Sequence, residues 1–150
     1  MKYWAGDQTL EINMRDRAQL FDEIRLRFDT GTGFALATLN MDHLVKIGSD
    51  PAFAAAYADH DLIVADGRPV VWLSRLAGQP VALLPGSDLV EPLCGLAEEC
   101  DVAVALVGSD AATLEAATAA LCARMPGLRV ALCVSPPMGF DPDEIGRAHV

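Results

Sequence analysis

Asp61-Leu62-Ile63-Val64-Ala65-Asp66-Gly67-Arg68-Pro69-Val70-Val71-Trp72 holds four apolar residues in a row, closed by Asp66-Gly67 and followed by a helix-like pattern that Pro69 opens. A short continuous apolar run between turn residues is how a strand buried on both faces of a parallel sheet reads. Thr38-Leu39-Asn40-Met41-Asp42-His43 has the same plan: the run from Phe34 to Leu39 stops at Asn40, which can cap a helix over 41–47. Both stretches bring polar groups to the carboxyl end of a strand, where ligands bind in open α/β sheets.

The flanking pattern extends this alternation. Residues 8–13 read as a strand, and Asn13 as the cap of a helix in which Ala18, Phe21, Ile24 and Phe28 recur at helical spacing until Thr30-Gly31-Thr32-Gly33. Gly48 is expected to stop the helix at 41, and Asp50-Pro51 to open the next one, with proline where its missing N–H costs nothing. Pro69 starts a helix ending near Gly78, expected to turn Val70, Val71, Leu73, Leu76 and Ala77 inward. Gly86-Ser87 precedes a helix over roughly 88–99, and 102–107 is a third core strand. Gly108-Ser109-Asp110 caps a helix to Met125, Pro126-Gly127 breaks it, and 128–134 is a fourth strand. Strands and helices joined by short connections predict a Rossmann-like α/β fold, its largely parallel sheet covered by helices on both faces.

One domain over 1–143 is expected, incomplete at its carboxyl end, since the loop at 136–143 leads onward. Glu144-Ile145-Gly146-Arg147-Ala148-His149-Val150 reads like a sequencing adapter translated in frame, so 144–150 is set aside as a non-native tail.

Composition narrows the function. With 150 residues, 52% of them hydrophobic, and mean hydropathy +0.27, the chain has the material for a packed core. No apolar run approaches the ~20 residues that span a bilayer, and Met1-Lys2-Tyr3-Trp4-Ala5-Gly6-Asp7 leads into no secretory apolar segment, so the expected location is cytoplasmic. A formal charge of −10 disfavours phosphate backbones, and no nucleic-acid partner is expected. Cys94, Cys100, Cys122 and Cys133 lack metal-site spacing and are expected as buried, reduced thiols.

The candidate ligand-binding groups lie at the four strand ends: Thr38 with Asn40, Asp66-Gly67-Arg68, Gly108-Ser109-Asp110, and Ser135 with Met138-Gly139. Glycines let a ligand approach the backbone, and helix amino termini favour anions, so a nucleotide fits. No dinucleotide fingerprint, P-loop or nucleophile elbow is present. Asp59-His60-Asp61 has the form of a metal-binding acidic pair but precedes its strand, at the end opposite Asp66, and reads as a solvated turn. Asp141-Pro142-Asp143 adjoins the tail and carries little weight. Each candidate also has a structural reading: Asp66 as a helix cap, Thr38 and Asn40 as caps of the helix at 41, His43 as a helix-face residue, Arg68 as a surface cation, and Trp72 as core.

Taken together, these segments resemble the WecG/TagA/CpsF family of bacterial glycosyltransferases. The likeness rests on Thr38-Leu39-Asn40 with His43, on Asp61 to Gly67 with Val70-Val71-Trp72, and on Gly86-Ser87-Asp88-Leu89. Leu106-Val107-Gly108-Ser109 stands where the family has a glycine pair, and Met138-Gly139-Phe140 is similar to its Gly-Tyr-Phe. The resemblance implies transfer of an N-acetylmannosamine-type sugar from a UDP donor to a polyprenyl-diphosphate-linked saccharide, in teichoic acid, capsule or other surface polysaccharide synthesis. It implies an inverting mechanism with no metal or other cofactor, run by a peripheral protein at the inner face of the membrane. Asp66 stands at the position of the general base. Thr38, Asn40, Gly67, Arg68, Gly86, Ser87, Asp88, Gly108, Ser109 and Gly139 stand at substrate-binding positions.

Two departures qualify the resemblance. Leu83, Leu84 and Pro85 stand where the family commonly carries an Arg, a loss of diphosphate stabilisation unless Arg68 substitutes. The family also continues into a Pro-x-Gln-Glu-type segment and a basic, membrane-docking appendage. A polypeptide without them is expected to lack part of the donor site and to be inactive alone, and an apolar face left uncovered would favour self-association into a homo-oligomer. The alternatives are a non-catalytic nucleotide-binding α/β module and, last, an atypical dinucleotide-binding oxidoreductase.

Overall fold

A computed structural model describes residues 2–5, 8–137 and 139. Its elements run β1 (Lys2–Ala5), β2 (Gln8–Glu11), α1 (Arg17–Thr30), β3 (Leu36–Leu39), α2 (Met41–Ser49), α3 (Pro51–Ala58), β4 (Leu62–Ala65), α4 (Arg68–Leu76), α5 (Gly86–Glu99), β5 (Val104–Val107), α6 (Ala111–Arg124) and β6 (Val130–Val134). Packing divides the chain into two compact units, Met1–Leu96 and Ala97–Val150.

In the first unit β3 and β4 pair in parallel, Leu36 opposite Leu62 and Leu39 opposite Ala65, with α2 and α3 forming the crossover. All four residues of β4 are buried, the reason that segment carries no polar alternation. Leu39, Ile63 and Ala65 meet Ile47 of α2, Ala54 and Tyr57 of α3, and Val70 and Val71 of α4 in one core. Several helix ends are encoded locally. Asn40 Oδ1 accepts the His43 N–H at 3.0 Å, and Asp50 Oδ1 accepts from Ala52 and Phe53 ahead of a helix that Pro51 opens. Gly31, at φ 65°, closes α1 in the left-handed conformation. β1 and β2 form an antiparallel pair, Lys2 opposite Glu11.

In the second unit β5 and β6 pair in parallel across α6, Val104 opposite Val130 and Val107 opposite Val134, with a register shift after Val104. Asp110 caps α6 by accepting the Thr113 N–H at 2.8 Å, and Leu114 and Leu121 are buried. Two strand–helix–strand crossovers with parallel pairing make the protein α/β and Rossmann-like. The described strands form two-stranded sheets, β3–β4 and β5–β6 parallel and β1–β2 antiparallel.

Several local expectations are corrected. α1 is capped by Asp16, whose Oδ1 accepts the Gln19 N–H at 2.9 Å, and not by Asn13. Asn13 stands beside β4. Its Nδ2 donates to the Asp61 carbonyl at 2.6 Å, its Oδ1 accepts the Ile63 N–H at 2.8 Å, and the Met14 N–H reaches the Ile63 carbonyl at 3.3 Å. One side-chain amide thus takes the place of a strand neighbour along β4. Asn13→Ala is expected to destabilise the protein by about 1–3 kcal/mol, because the N–H of buried Ile63 loses its partner. Urea denaturation checks this, and an unchanged midpoint would count against it.

α2 passes through Gly48 to Ser49, because a single helical glycine weakens a helix without ending it. On α4 the inward stripe is Val70, Val71 and Ser74, while Leu73 and Leu76 are exposed and Trp72 is 59% exposed rather than core. Ser74 tolerates complete burial because its Oγ donates to the Val71 carbonyl at 2.7 Å and accepts the Val81 N–H at 3.1 Å. In α1 the buried residues are Leu20 and Ile24, with Phe21 and Phe28 half-buried. All four cysteines are free, but only Cys94 is buried and Cys133 is exposed on β6.

Candidate functional site

The carboxyl ends of β3 and β4 are locked side by side. The Asp66 N–H donates to the Leu39 carbonyl at 2.8 Å, so Asn40 and Asp66-Gly67 leave the paired strands together. Gly67, at φ 97°, occupies the cap position of α4, and a Cβ built there would lie 3.9 Å from the Cβ of Asn40. Glycine is what allows this turn straight from strand into helix. Asp66 does not cap α4, which has no side-chain cap bond. Its carboxylate is half-buried, and among the described residues no hydrogen bond or ion pair engages it.

The segment leading into α5 closes over the same strand ends. The Leu84 N–H donates to the Ala65 carbonyl at 2.8 Å, and Gly86 lies against Thr38, whose Cγ2 would be 3.3 Å from an added Cβ. A side chain at Gly86 would need the Thr38 methyl to give by a few tenths of an ångström, so the two residues are closely packed. Thr38, Asn40, Asp66, Gly67 and Gly86 therefore come together in the first unit. Ser87 and Asp88 are exposed in the first turn of α5, Ser87 Oγ donating to Asp88 Oδ1 at 3.2 Å. Arg68 is exposed at the start of α4 and lines a groove of about 320 Å³ with Val71, Trp72, Arg75 and Leu83.

Tyr57, which the sequence reading passed over, belongs to this cluster, and His43 is tied to it. The Tyr57 hydroxyl donates to the Thr38 carbonyl. His43 Nδ1 lies 3.0 Å from that carbonyl and 3.1 Å from the Tyr57 hydroxyl. Phe53, Tyr57 and His43 stack as tilted rings with centroids 5.5–6.0 Å apart. Burial, together with the charge of Asp66, pushes the Tyr57 phenol up to about 12.

This shift sets a pH dependence. The folded value, about 12, lies above the ordinary 10.0, so the neutral phenol is the form that folding favours. Its contribution to stability is complete below pH 10 and is lost as pH climbs from 10.0 to about 12. Denaturation midpoints across this range should fall in the wild type and fall less in Tyr57→Phe. Parallel curves would count against the assignment.

The other candidates have their own local settings. Gly108 and Ser109, in the second unit, form a turn with φ of 120° and 57°; Gly108 N–H donates to the Val134 carbonyl at 3.0 Å and Ser135 Oγ to the Ser109 carbonyl at 2.8 Å. Gly139 has φ 77°, while Met138 and the acidic pair Asp141 and Asp143 lie outside the described residues, as does the segment 144–150. Asp61 is a structural residue: its carboxylate accepts the Ala35 N–H at 2.9 Å and pairs with Arg27 at 3.5 Å. The Ala35 bond and the Arg27 charge hold its carboxyl below the usual range. Among the described residues no three His, Cys, Asp or Glu side chains converge as a metal-binding group.

A Rossmann-like chain with an uncapped carboxylate between glycine turns, at the carboxyl ends of its parallel strands, is of the α/β class that holds a ligand at that edge. The chain belongs to the glycosyl transferase WecG/TagA/CpsF family, whose sequence profile matches residues 8–149. No curated protein matches it. Family membership makes it a glycosyltransferase of cell-surface polysaccharide synthesis, working with a sugar-nucleotide donor and a lipid-linked acceptor. No described helix is long and apolar enough to cross a membrane.

Proposed function

We propose that the protein moves an N-acetylmannosamine-type sugar from a UDP donor to a polyprenyl-diphosphate-linked saccharide, with inversion at the anomeric carbon and Asp66 as general base. The observation that carries this reading is Asp66 itself: a half-buried residue at the end of β4, giving α4 no capping bond, with its backbone N–H bonded to Leu39, which lies between Thr38 and Asn40. A carboxylate engaged in a cap would be a poorer proton acceptor. The acceptor hydroxyl attacks the anomeric carbon, and its proton passes to Asp66. The new bond forms as the bond from that carbon to the UDP β-phosphate oxygen breaks, and UDP leaves with the electron pair.

Thr38 and Asn40 position the reactants. Backbone N–H groups at Gly86-Ser87 open a helix of 14 residues and favour the diphosphate, while Asp88 in the same turn accepts from the Ser87 hydroxyl. Arg68 supplies the cation missing from the Leu83-Leu84-Pro85 segment. Work on a polyprenyl-linked acceptor places the protein peripherally at the inner face of the membrane.

The test uses the full-length gene product. UDP at about 100 times its Kd should stabilise it by about 2.7 kcal/mol, and UDP-N-acetylmannosamine should release UDP only when the lipid-linked acceptor is present. Stabilisation by UDP with no transfer would leave a nucleotide-binding module. Stabilisation by NAD and not UDP would overturn the reading in favour of an oxidoreductase.

A further inference from the structure

We propose that His43 and Tyr57 are positioning residues that clamp the Thr38 carbonyl from two helices and so hold Thr38 in register with Asp66. The role rests on the transfer reaction proposed above, but the geometry behind it is independent of that reaction. In a parallel strand, successive carbonyls point to opposite edges. The Leu39 carbonyl is taken by the Asp66 N–H, on the β4 side. The Thr38 carbonyl therefore points to the other edge of β3, where among the described residues no strand pairs with it. Two side chains fill that vacancy, Tyr57 from α3 and His43 from α2.

The hydrogen bonds also fix the imidazole. A carbonyl oxygen only accepts, so a ring nitrogen 3.0 Å away carries the proton. Tyr57 has one proton and gives it to the same carbonyl, so its oxygen, 3.1 Å from Nδ1, shares the imidazole N–H. The network thus selects the Nδ1–H tautomer for the neutral ring. Burial and the nearby charge of Asp66 keep the Tyr57 phenol protonated and hence a donor across the working pH range. Holding the Thr38 peptide from this edge sets the direction of its side chain, which already lies against Gly86. The backbone of α2 is braced as well, since Asn40 accepts the His43 N–H.

The experiment has two arms. Nitrogen-15 NMR of the histidine rings in the full-length protein should show His43 as the Nδ1–H tautomer; an Nε2–H tautomer overturns the proposal whatever the activity. In the kinetic arm, His43→Asn places an amide where Nδ1 lies, and His43→Gln places one near Nε2. His43→Gln and Tyr57→Phe should each lose about tenfold in kcat with little change in KM for the UDP-sugar, within the range that small misplacements produce. His43→Asn should keep most of the turnover. Equal losses in Asn and Gln variants, tracking only their melting temperatures, would reduce the pair to a structural role and overturn the proposal. A wild type that neither binds UDP nor transfers sugar overturns the function proposed above, while a wild type that transfers sugar with variants unchanged overturns the positioning role alone.

Discussion

Asp66→Asn in the full-length protein is expected to lower turnover of sugar transfer by about 10²–10⁴-fold, the usual contribution of a positioned general base. The substitution keeps the size and polarity of the side chain and removes its ability to take the acceptor proton. The backbone is undisturbed, because the bond that locks Asp66 to Leu39 uses the main-chain N–H. No cap is lost either, as α4 has none from a side chain. Stability and UDP binding should therefore stay near wild type while kcat collapses. A second readout follows from the same charge: the Tyr57 phenol, held up in part by Asp66, should titrate lower in the variant. Near-normal turnover would remove Asp66 from the role of base.

Leu62→Ala addresses the scaffold. Leu62 is 1% exposed in a strand buried along its whole length, and it pairs with Leu36. Truncating a leucine in such a setting costs about 2–5 kcal/mol, part from lost transfer energy and part from the cavity left behind. Its N–H bond to the Ala35 carbonyl at 3.0 Å survives, so the loss is one of packing alone. Leu76→Ala, at a residue 85% exposed, should move stability by no more than about 0.5 kcal/mol. Urea denaturation followed on the first unit separates the two. Equal shifts would mean that β4 is not the packed centre described here.

The contrast between these leucines shows how far local pattern reaches. Both are apolar and both sit in segments read as inward-facing, yet α4 buries Ser74 and exposes Leu76. Hydrophobicity placed Val70 and Val71 correctly but missed Ser74, because two hydrogen bonds make a buried serine acceptable. Asn13 failed in a similar way: an asparagine ahead of a helical pattern is a good cap, but Asp16 lay closer and the Asn13 amide found partners 48 and 50 residues away. Tyr57 went unnoticed because the chemistry-bearing pattern beside it, Asp59-His60-Asp61, reads as a solvated turn and does not involve it. Its significance comes from Thr38, 19 residues before it, and His43, 14 residues before it.

The strand at 62–65, the caps at Asn40, Asp50 and Asp110, and the glycine turns at Gly31 and Gly67 were legible in the amino-acid order. Each depends on interactions within a few residues, or on a conformation that few residue types adopt. The family followed from several such segments in their proper order. Only the folded chain shows that Asp66 is free of a cap, that Gly86 lies on Thr38, and that a tyrosine and a histidine hold the end of β3. Those relations join groups distant along the chain, and packing, not local propensity, brings them within hydrogen-bonding reach.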